Sequence, residues 1–377
     1  MTGHKPIHPR VVVSDISSGP PLIIGVPTEI TAFVGEAARS PGNQAVQIQG
    51  FIDFERAFEG LAPTLELGYA VQQFFLNGGM EAWVVGVAPG AVGAQWMVGL
   101  QALEAVDLFN LLVLPGVADA AVLAAAVEVC RRRRAFLIVD PPAAATTPAL
   151  MVQAVQSGLL PKTSQAATFF PWIKIADPLG VTKVRLSSPG GTIAGLMARI
   201  DSTRGVWKAP AGLEAEMKGV LDLAYAPTNA DGGLLSPIGV NILRSFPGTA
   251  GPVVWGARTL EGGSDPEWRY IPVRRLGLFL EESLYRGLGW IVFEPNGAAL
   301  WEQIRSSVEA FLFDLWKRGA FLGAKPSEAF LVKCDATTTT QNDVADGVVN
   351  VVVGFAAIKP AEFILLRIQQ KAGPPAP

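Results

Sequence analysis

The sequence predicts an α/β domain built on a mainly parallel sheet, followed by a C-terminal α+β domain. Two observations carry this reading. From Leu22 to about Phe246, short apolar runs alternate with helical segments, the order in which βαβ units are written. After Gly251, two long amphipathic helices are followed by a stretch whose apolar residues recur every second position. The chain has 377 residues, 50% hydrophobic and 17% charged, with formal net charge −3. That length is enough for two cores.

The elements follow in order. Residues 1–19, rich in Pro, His and Ser around Val11, Val12 and Val13, have the composition of a terminal tail. A strand is expected over 30–34 and a short helix over 53–58. A helix over 69–76 is stopped by Asn77-Gly78-Gly79. A strand over 82–87 and a helix over 96–106 come next. The strand over 111–114 ends at Pro115-Gly116, and a helix covers 118–134. A strand over 135–139 stops at Asp140-Pro141-Pro142, and another spans 168–175.

In the second half, Pro272 is a good first helical residue, with Val273, Leu276, Leu280 and Leu284 on one face. Residues 290–293 read as a short strand. Asn296 is placed as the N-cap of a helix whose stripe is Leu300, Ile304, Val308, Phe311, Leu312 and Leu315. Lys317 and Arg318 suit the last turn, and Gly319 suits the position after the cap. Beyond Gly347, Val349, Val351, Val353 and Phe355 line one side of a strand. In a final strand, Phe363 and Leu365 oppose Ile364, Leu366 and Ile368. Both of its faces are apolar, so it needs cover on both sides. The expected division is an arm over 1–19, an α/β domain over 20–250, an α+β domain over 251–361, and a strand arm and tail over 362–377.

Composition excludes several functions. A net charge of −3 argues against a general nucleic-acid binder. Mean hydropathy is +0.34, yet no run of about 18 uninterrupted apolar residues exists, so no transmembrane helix is expected. The opening M-T-G-H-K-P-I-H-P-R has no apolar core of a secretory signal. Such apolarity fits large buried interfaces between subunits, or a large Ala/Val-rich core. Cys130 and Cys334, far apart in sequence, fit a reduced cytoplasmic protein. The two histidines, His4 and His8, both lie in the tail. The body therefore has none for a Ser-His-Asp, Cys-His or His-bearing zinc site.

Other candidates have bland readings. Gly190-Gly191-Thr192 opens a helix and has the form of a phosphate cradle. The G-x-x-x-x-G-K-[ST] and strand-borne G-x-G-x-x-G patterns are missing, so glycines for a tight turn and close helix packing are preferred. Arg131 to Arg134 read as a solvated cationic helix end, available to acidic groups of a neighbour. Glu281 and Glu282 read as the wet face of a helix rather than a hydrolytic carboxylate pair. Thr337 to Thr340 with Gln341-Asn342-Asp343 read as a polar connector.

Several phrases together carry a resemblance. They are P-V-V-W-G-A-R-T-L from Pro252, S-D-P-E-W-R-Y-I-P-V-R-R-L from Ser264, W-I-V-F-E-P-N from Trp290, C-D-A-T-T-T-T-Q-N-D from Cys334 and K-P-A-E-F-I from Lys359. L-N-G-G-M-E-A-W-V-V-G-V from Leu76 and the glycine-led helix ending in R-G-V-W-K-A-P-A add two anchors. With these the chain resembles contractile-tail sheath proteins from about Gly25 to Ile368. The opening H-P-R-V-V-V-S-D-I departs from the family's P-G-V-Y-V-E-E-type start but keeps its extended apolar character.

The resemblance implies a subtilisin-like shape for the α/β domain, without the protease's chemistry, and a C-terminal sheath domain with exchanged terminal strands. It implies hexameric rings stacked into a helical sheath around an inner tube, with baseplate and terminal cap proteins as further partners. Contraction would drive the tube through a target envelope. It implies no catalytic residue, cofactor, metal, nucleic acid or membrane insertion, and assembly in the cytoplasm into a phage tail or tail-like particle. Val11, Val12, Val13, Phe363, Ile364, Leu365, Leu366 and Ile368 become intersubunit arms. Lys317, Arg318, Thr338, Gln341 and Asp343 become tube-facing or interface residues. The competing reading is an α/β hydrolase or nucleotide-binding enzyme, which requires an assembled catalytic set that the sequence does not display.

Overall fold

An eight-stranded sheet organises the first two thirds of the computed structural model, which describes residues 21–42, 44–263 and 265–362. In chain order the elements are β1 (Thr31–Glu36), β2 (Val46–Ile48), α1 (Phe51–Phe58), α2 (Glu66–Asn77), β3 (Ala82–Val87), α3 (Gly93–Gln101), β4 (Leu111–Val113), α4 (Ala120–Arg132), β5 (Phe136–Val139), α5 (Pro148–Gln156) and β6 (Ala166–Phe170). Then come β7 (Ile173–Ala176), β8 (Val184–Ser187), α6 (Gly190–Arg204), β9 (Val220–Leu223), α7 (Asn229–Leu235), β10 (Val240–Arg244) and β11 (Val253–Trp255). The remainder is α8 (Ile271–Gly287), α9 (Ala298–Lys317), α10 (Pro326–Ala329), β12 (Phe330–Lys333), α11 (Gln341–Ala345) and β13 (Val352–Phe355).

The large sheet has the order β11-β10-β6-β5-β4-β1-β3-β2. Its interior pairings are parallel, and only the edge strands β2 and β11 run antiparallel to their neighbours. Central strands such as β4 (L-L-V) and β5 (F-L-I-V) are buried throughout, as expected where helices cover both faces. Phe33, Phe136 and Ile138 point into one core with α2 and α6. Ala32, Val34, Leu137 and Val139 point into the other, with α3, α4 and α5. Strand β11 carries residues beyond 250 into this sheet, paired with β10.

Helices α2 and α6 meet backbone to backbone. A Cβ on Gly191 would lie 2.1 Å from the Ala70 carbonyl oxygen, and one on Gly195 2.2 Å from that of Phe74. Those glycines therefore serve helix packing, as the sequence suggested.

Two early expectations need correction. The single strand over 168–175 is two strands in different sheets: β6 ends at Phe170 and β7 begins at Ile173. Pro171 between them has no N–H to give to a ladder. Strand β7 is the middle strand of an antiparallel sheet of order β8-β7-β9. The helix over 96–106 closes at Gln101 and continues as a 3₁₀ turn over Ala102–Ala105.

The last third packs α8 and α9 against the antiparallel pair β12–β13. The α9 stripe is buried as expected, from Leu300 through Leu315. Gly319 has φ +82°. Its N–H donates to the Trp316 carbonyl (2.9 Å), and the Ala320 N–H donates to Leu315 (3.0 Å), closing a Schellman turn.

The other α9 cap is not as expected, because Gly297, not Asn296, holds the N-cap position. The Asn296 side chain instead accepts from Trp301 Nε1 (2.9 Å) and donates to the Val348 carbonyl (3.0 Å). Residues 290–293 are not a strand. They form the end of a 3₁₀ turn and a reversal in which Phe293 has φ +75° and is fully exposed. The chain must turn back there between α8 and α9. Val349, Val351, Val353 and Phe355 pack together on the third core as predicted, although β13 begins only at Val352. The expected strands around Val11–Val13 and over 363–368 lie outside the described residues. No described helix is long and apolar enough to cross a membrane.

Candidate assembly interface

Helix α8 joins the two halves of the molecule through charges as well as apolar contacts. Ile271 and Leu278 enter the core of the large sheet, whereas Leu276 and Leu280 enter the C-terminal core. Between them, the Arg275 guanidinium grips Asp201 of α6 at 3.0 and 2.5 Å and also donates to the Thr28 carbonyl at 2.9 Å. Both charged side chains are almost wholly buried. Two turns further, Glu282 is buried between Arg134 (3.0 Å) and Arg286 (2.6 Å). Arg286 in turn reaches Asp107 at 2.9 Å.

These contacts revise two sequence readings. Glu281 is exposed, but Glu282 is not on a wet face. It is buried because the C-terminal end of α4 delivers a cation to it. The four arginines are likewise not a uniformly solvated end. Arg131 and Arg132 are exposed and pair with Glu128 and Glu104. Arg133 donates to the carbonyls of Glu104, Val106 and Asp107. Arg134 binds Glu282 and stacks 4.3 Å from the Tyr285 ring. Their acidic partners belong to this same chain.

The helix N-terminus at Gly190 is already occupied by internal carboxylates. Asp140 accepts from the N–H groups of Gly190 (2.7 Å) and Gly116 (2.9 Å). Burial pushes its carboxyl up to about 6, against the pull of those two hydrogen bonds. Glu66 accepts from the Ser188 N–H (3.1 Å) and Ser187 hydroxyl (3.2 Å) and pairs with Arg185 at 2.5 Å. Arg185 lies 3.8 Å from the Tyr69 ring centre. Free N–H groups are what a phosphate requires, and here the chain's own acids take them. Among the described residues no group of three or more His, Cys, Asp or Glu is placed to hold a metal.

The five residues named as tube-facing do not form one patch. Lys317 and Arg318 are exposed at the C-terminal end of α9, with Lys317 Nζ 4.5 Å from the Phe313 ring and Arg318 5.5 Å from Trp207. Thr338, Gln341 and Asp343 belong to the α11 region. Thr338 bonds Asp335, and Thr340 caps α11 in a reciprocal box with Asp343. Those Thr340 hydrogen bonds hold the Asp343 carboxyl below the usual carboxylate range. The Asp343 carbonyl accepts from Val348, whose own carbonyl is held by Asn296 at the start of α9. The two groups thus sit toward opposite ends of a helix of about 30 Å.

One tie has no counterpart in the sequence reading. Glu362, the last described residue, binds Arg258 at 2.8 and 2.5 Å and accepts from the Tyr270 hydroxyl at 3.2 Å. These bonds tie residue 362, 104 positions from Arg258, to the body. Among the described residues the β12–β13 ribbon has two strands, and it exposes Leu331 and Val352. Isolated ribbons of two strands are marginal in water, so this one has edges fit for further pairing.

The comparisons with known proteins agree with this architecture. The phage tail sheath central-domain family matches residues 90–260, and the phage tail sheath C-terminal-domain family matches residues 263–371. The chain belongs to the phage tail sheath family. That family is a structural sheath family and not a known enzyme family.

Among solved structures, the sheath complex of an extracellular contractile injection system, PVC, in its contracted state is 28% identical. The match covers 98% of this chain and 99% of that one, with a TM-score of 0.81. The helical sheath of the anti-feeding prophage (AFP) in the contracted state is also 28% identical, covering 98% and 100%, with a TM-score of 0.79. The sheath tail protein of Desulfitobacterium hafniense shares the fold at 11% identity, covering 86% and 93%, with a TM-score of 0.64. No curated protein matches the chain.

Proposed function

We propose that six copies of this chain form a ring, and that stacked rings make a helical sleeve around an inner tube. Contraction of the sleeve drives the tube through a target envelope. The observation that carries this reading is the end-to-end likeness to the contracted PVC sheath. Sheath complexes and baseplates among the related structures support a baseplate partner. An inner tube and a terminal cap complete the proposed particle, which assembles in the cytoplasm.

The switch is a rigid-body change of interfaces between subunits, so the energy lies in contacts between copies and not in a nucleotide or metal. The buried ion pairs of α8 support a subunit that moves as one unit. The terminal arms over 1–19 and 362–377 then act as the ties, each adding a strand to open edges such as those of the β12–β13 ribbon in neighbours. Lys317 and Arg318 on one side, and Thr338, Gln341 and Asp343 on the other, are proposed contacts to the tube or to other copies. The subtilisin-like description concerns the shape of the α/β domain alone. Negative-stain microscopy of the purified chain tests the reading: striated tubes support it, and dispersed small particles with hydrolytic turnover favour an enzyme instead.

A further inference from the structure

Next to the Arg258–Glu362 pair lies an open groove of about 650 Å³. Its lining includes Trp207, Pro237, Trp255, Ala257, Ile358 and Pro360. Trp255, on the edge strand β11, lines the groove and is 42% exposed. The last described residues, Pro360, Ala361 and Glu362, themselves line the groove, and Arg258 holds Glu362 at two points there. The chain therefore continues from the groove's own rim. What continues is Phe363-Ile364-Leu365-Leu366-Arg367-Ile368, five apolar residues in six.

We propose that, in the unassembled subunit, this groove seats residues 363–368 of the same chain, and that assembly transfers the segment to a neighbour. The inference rests on the arm exchange proposed above and adds where the arm resides beforehand. A segment tethered at the rim meets the groove at an effective concentration in the mM range, well above that of any second copy in dilute solution. Seating it removes an uncovered apolar strand from water, where it would template aggregation. In a lattice, the neighbour's sheet edge offers main-chain hydrogen bonds in addition to apolar burial, so the segment leaves the groove for that edge.

The test uses the full chain. Cys130 and Cys334 are both buried, so Leu366→Cys supplies a single accessible thiol for a bimane label, which Trp quenches on contact. The expected result is loss of bimane emission in dilute, unassembled chain, independent of concentration, with recovery on Trp255→Phe or Trp207→Phe. Full emission in dilute chain overturns the proposal. Quenching that grows with concentration also overturns it, because a second copy's segment is then the occupant. Quenching that neither substitution relieves places the label elsewhere and overturns it as well. The readout precedes assembly, so a chain that quenches as expected but never builds tubes contradicts the proposed function and not this seat.

Discussion

Arg275 of α8 and Asp201 of α6 form a two-point ion pair at 3.0 and 2.5 Å, with side chains 4% and 1% exposed. The pair bridges residues separated by 74 positions. With Glu282–Arg134 it fixes α8 to α6 and to the end of α4, as the rigid subunit of the proposed function requires.

Removing one member of that pair leaves a buried charge without its partner. Arg275→Ala is expected to cost about 3–5 kcal/mol, whereas Arg275→Met combined with Asp201→Leu should recover most of the loss. Denaturant unfolding of the three proteins decides this. Equal stability of the single and double variants would show that the charge is not what matters.

The α9 stripe makes a second prediction. Leu312 is fully buried, so Leu312→Ala should cost roughly 2–5 kcal/mol. Glu302 is exposed and, among the described residues, pairs with Arg305 one turn along the same helix, so Glu302→Ala should stay within about 0.5 kcal/mol. Matching melting temperatures would place the stripe on the wrong face.

Close packing of α2 and α6 makes a third. A methyl group at Gly191 meets the Ala70 carbonyl at 2.1 Å, so Gly191→Ala should cost about 1–3 kcal/mol or more by forcing the helices apart. Gly93 opens α3 with nothing near its missing side chain, so Gly93→Ala should be neutral or mildly stabilising. Thermal unfolding of the pair separates the cases, and a neutral Gly191→Ala would contradict the contact.

Asp140 predicts a pH dependence. Its folded value of about 6 lies above the ordinary 3.8, so the folded state holds this proton more tightly than the unfolded state does. The stability it contributes is present in full below about pH 3.8 and is lost as pH rises through 6, on the order of 3 kcal/mol. Comparing unfolding free energies of the natural chain and Asp140→Asn between pH 4 and 7 isolates the effect, since other carboxylates cancel in the difference. Parallel curves would contradict it.

Much of the fold was legible because apolar spacing records burial. The strand over 82–87 and the α9 stripe appear where the pattern put them. Helix α8 shows where the reading stopped short. Its second buried row, Ile271, Arg275, Leu278 and Glu282, has the same helical spacing as the apolar stripe. Arg275 and Glu282 in that row marked a buried charge network, but their partners, Asp201 and Arg134, lie far away in sequence. Residues 290–293 were misread because the apolar run there does not mark burial: Val292 and Phe293 are exposed in the reversal between α8 and α9. The three-residue edge strands β2 and β11 are too short to show a period. Of the candidate site, Thr340 and Asp343 were visible as a phrase, and the structure shows them capping α11. The Arg258–Glu362 tie, spanning 104 positions, had no local signal.

The most direct measurement is electron microscopy of the full chain beside a chain lacking residues 1–19, with thermal unfolding of both. The account predicts striated tubes for the full chain. It predicts a folded, cooperatively melting subunit that builds none for the shortened chain, because the arm ties copies together and is not part of its own core. Long contractile tubes from the shortened chain, or its outright unfolding, would contradict it.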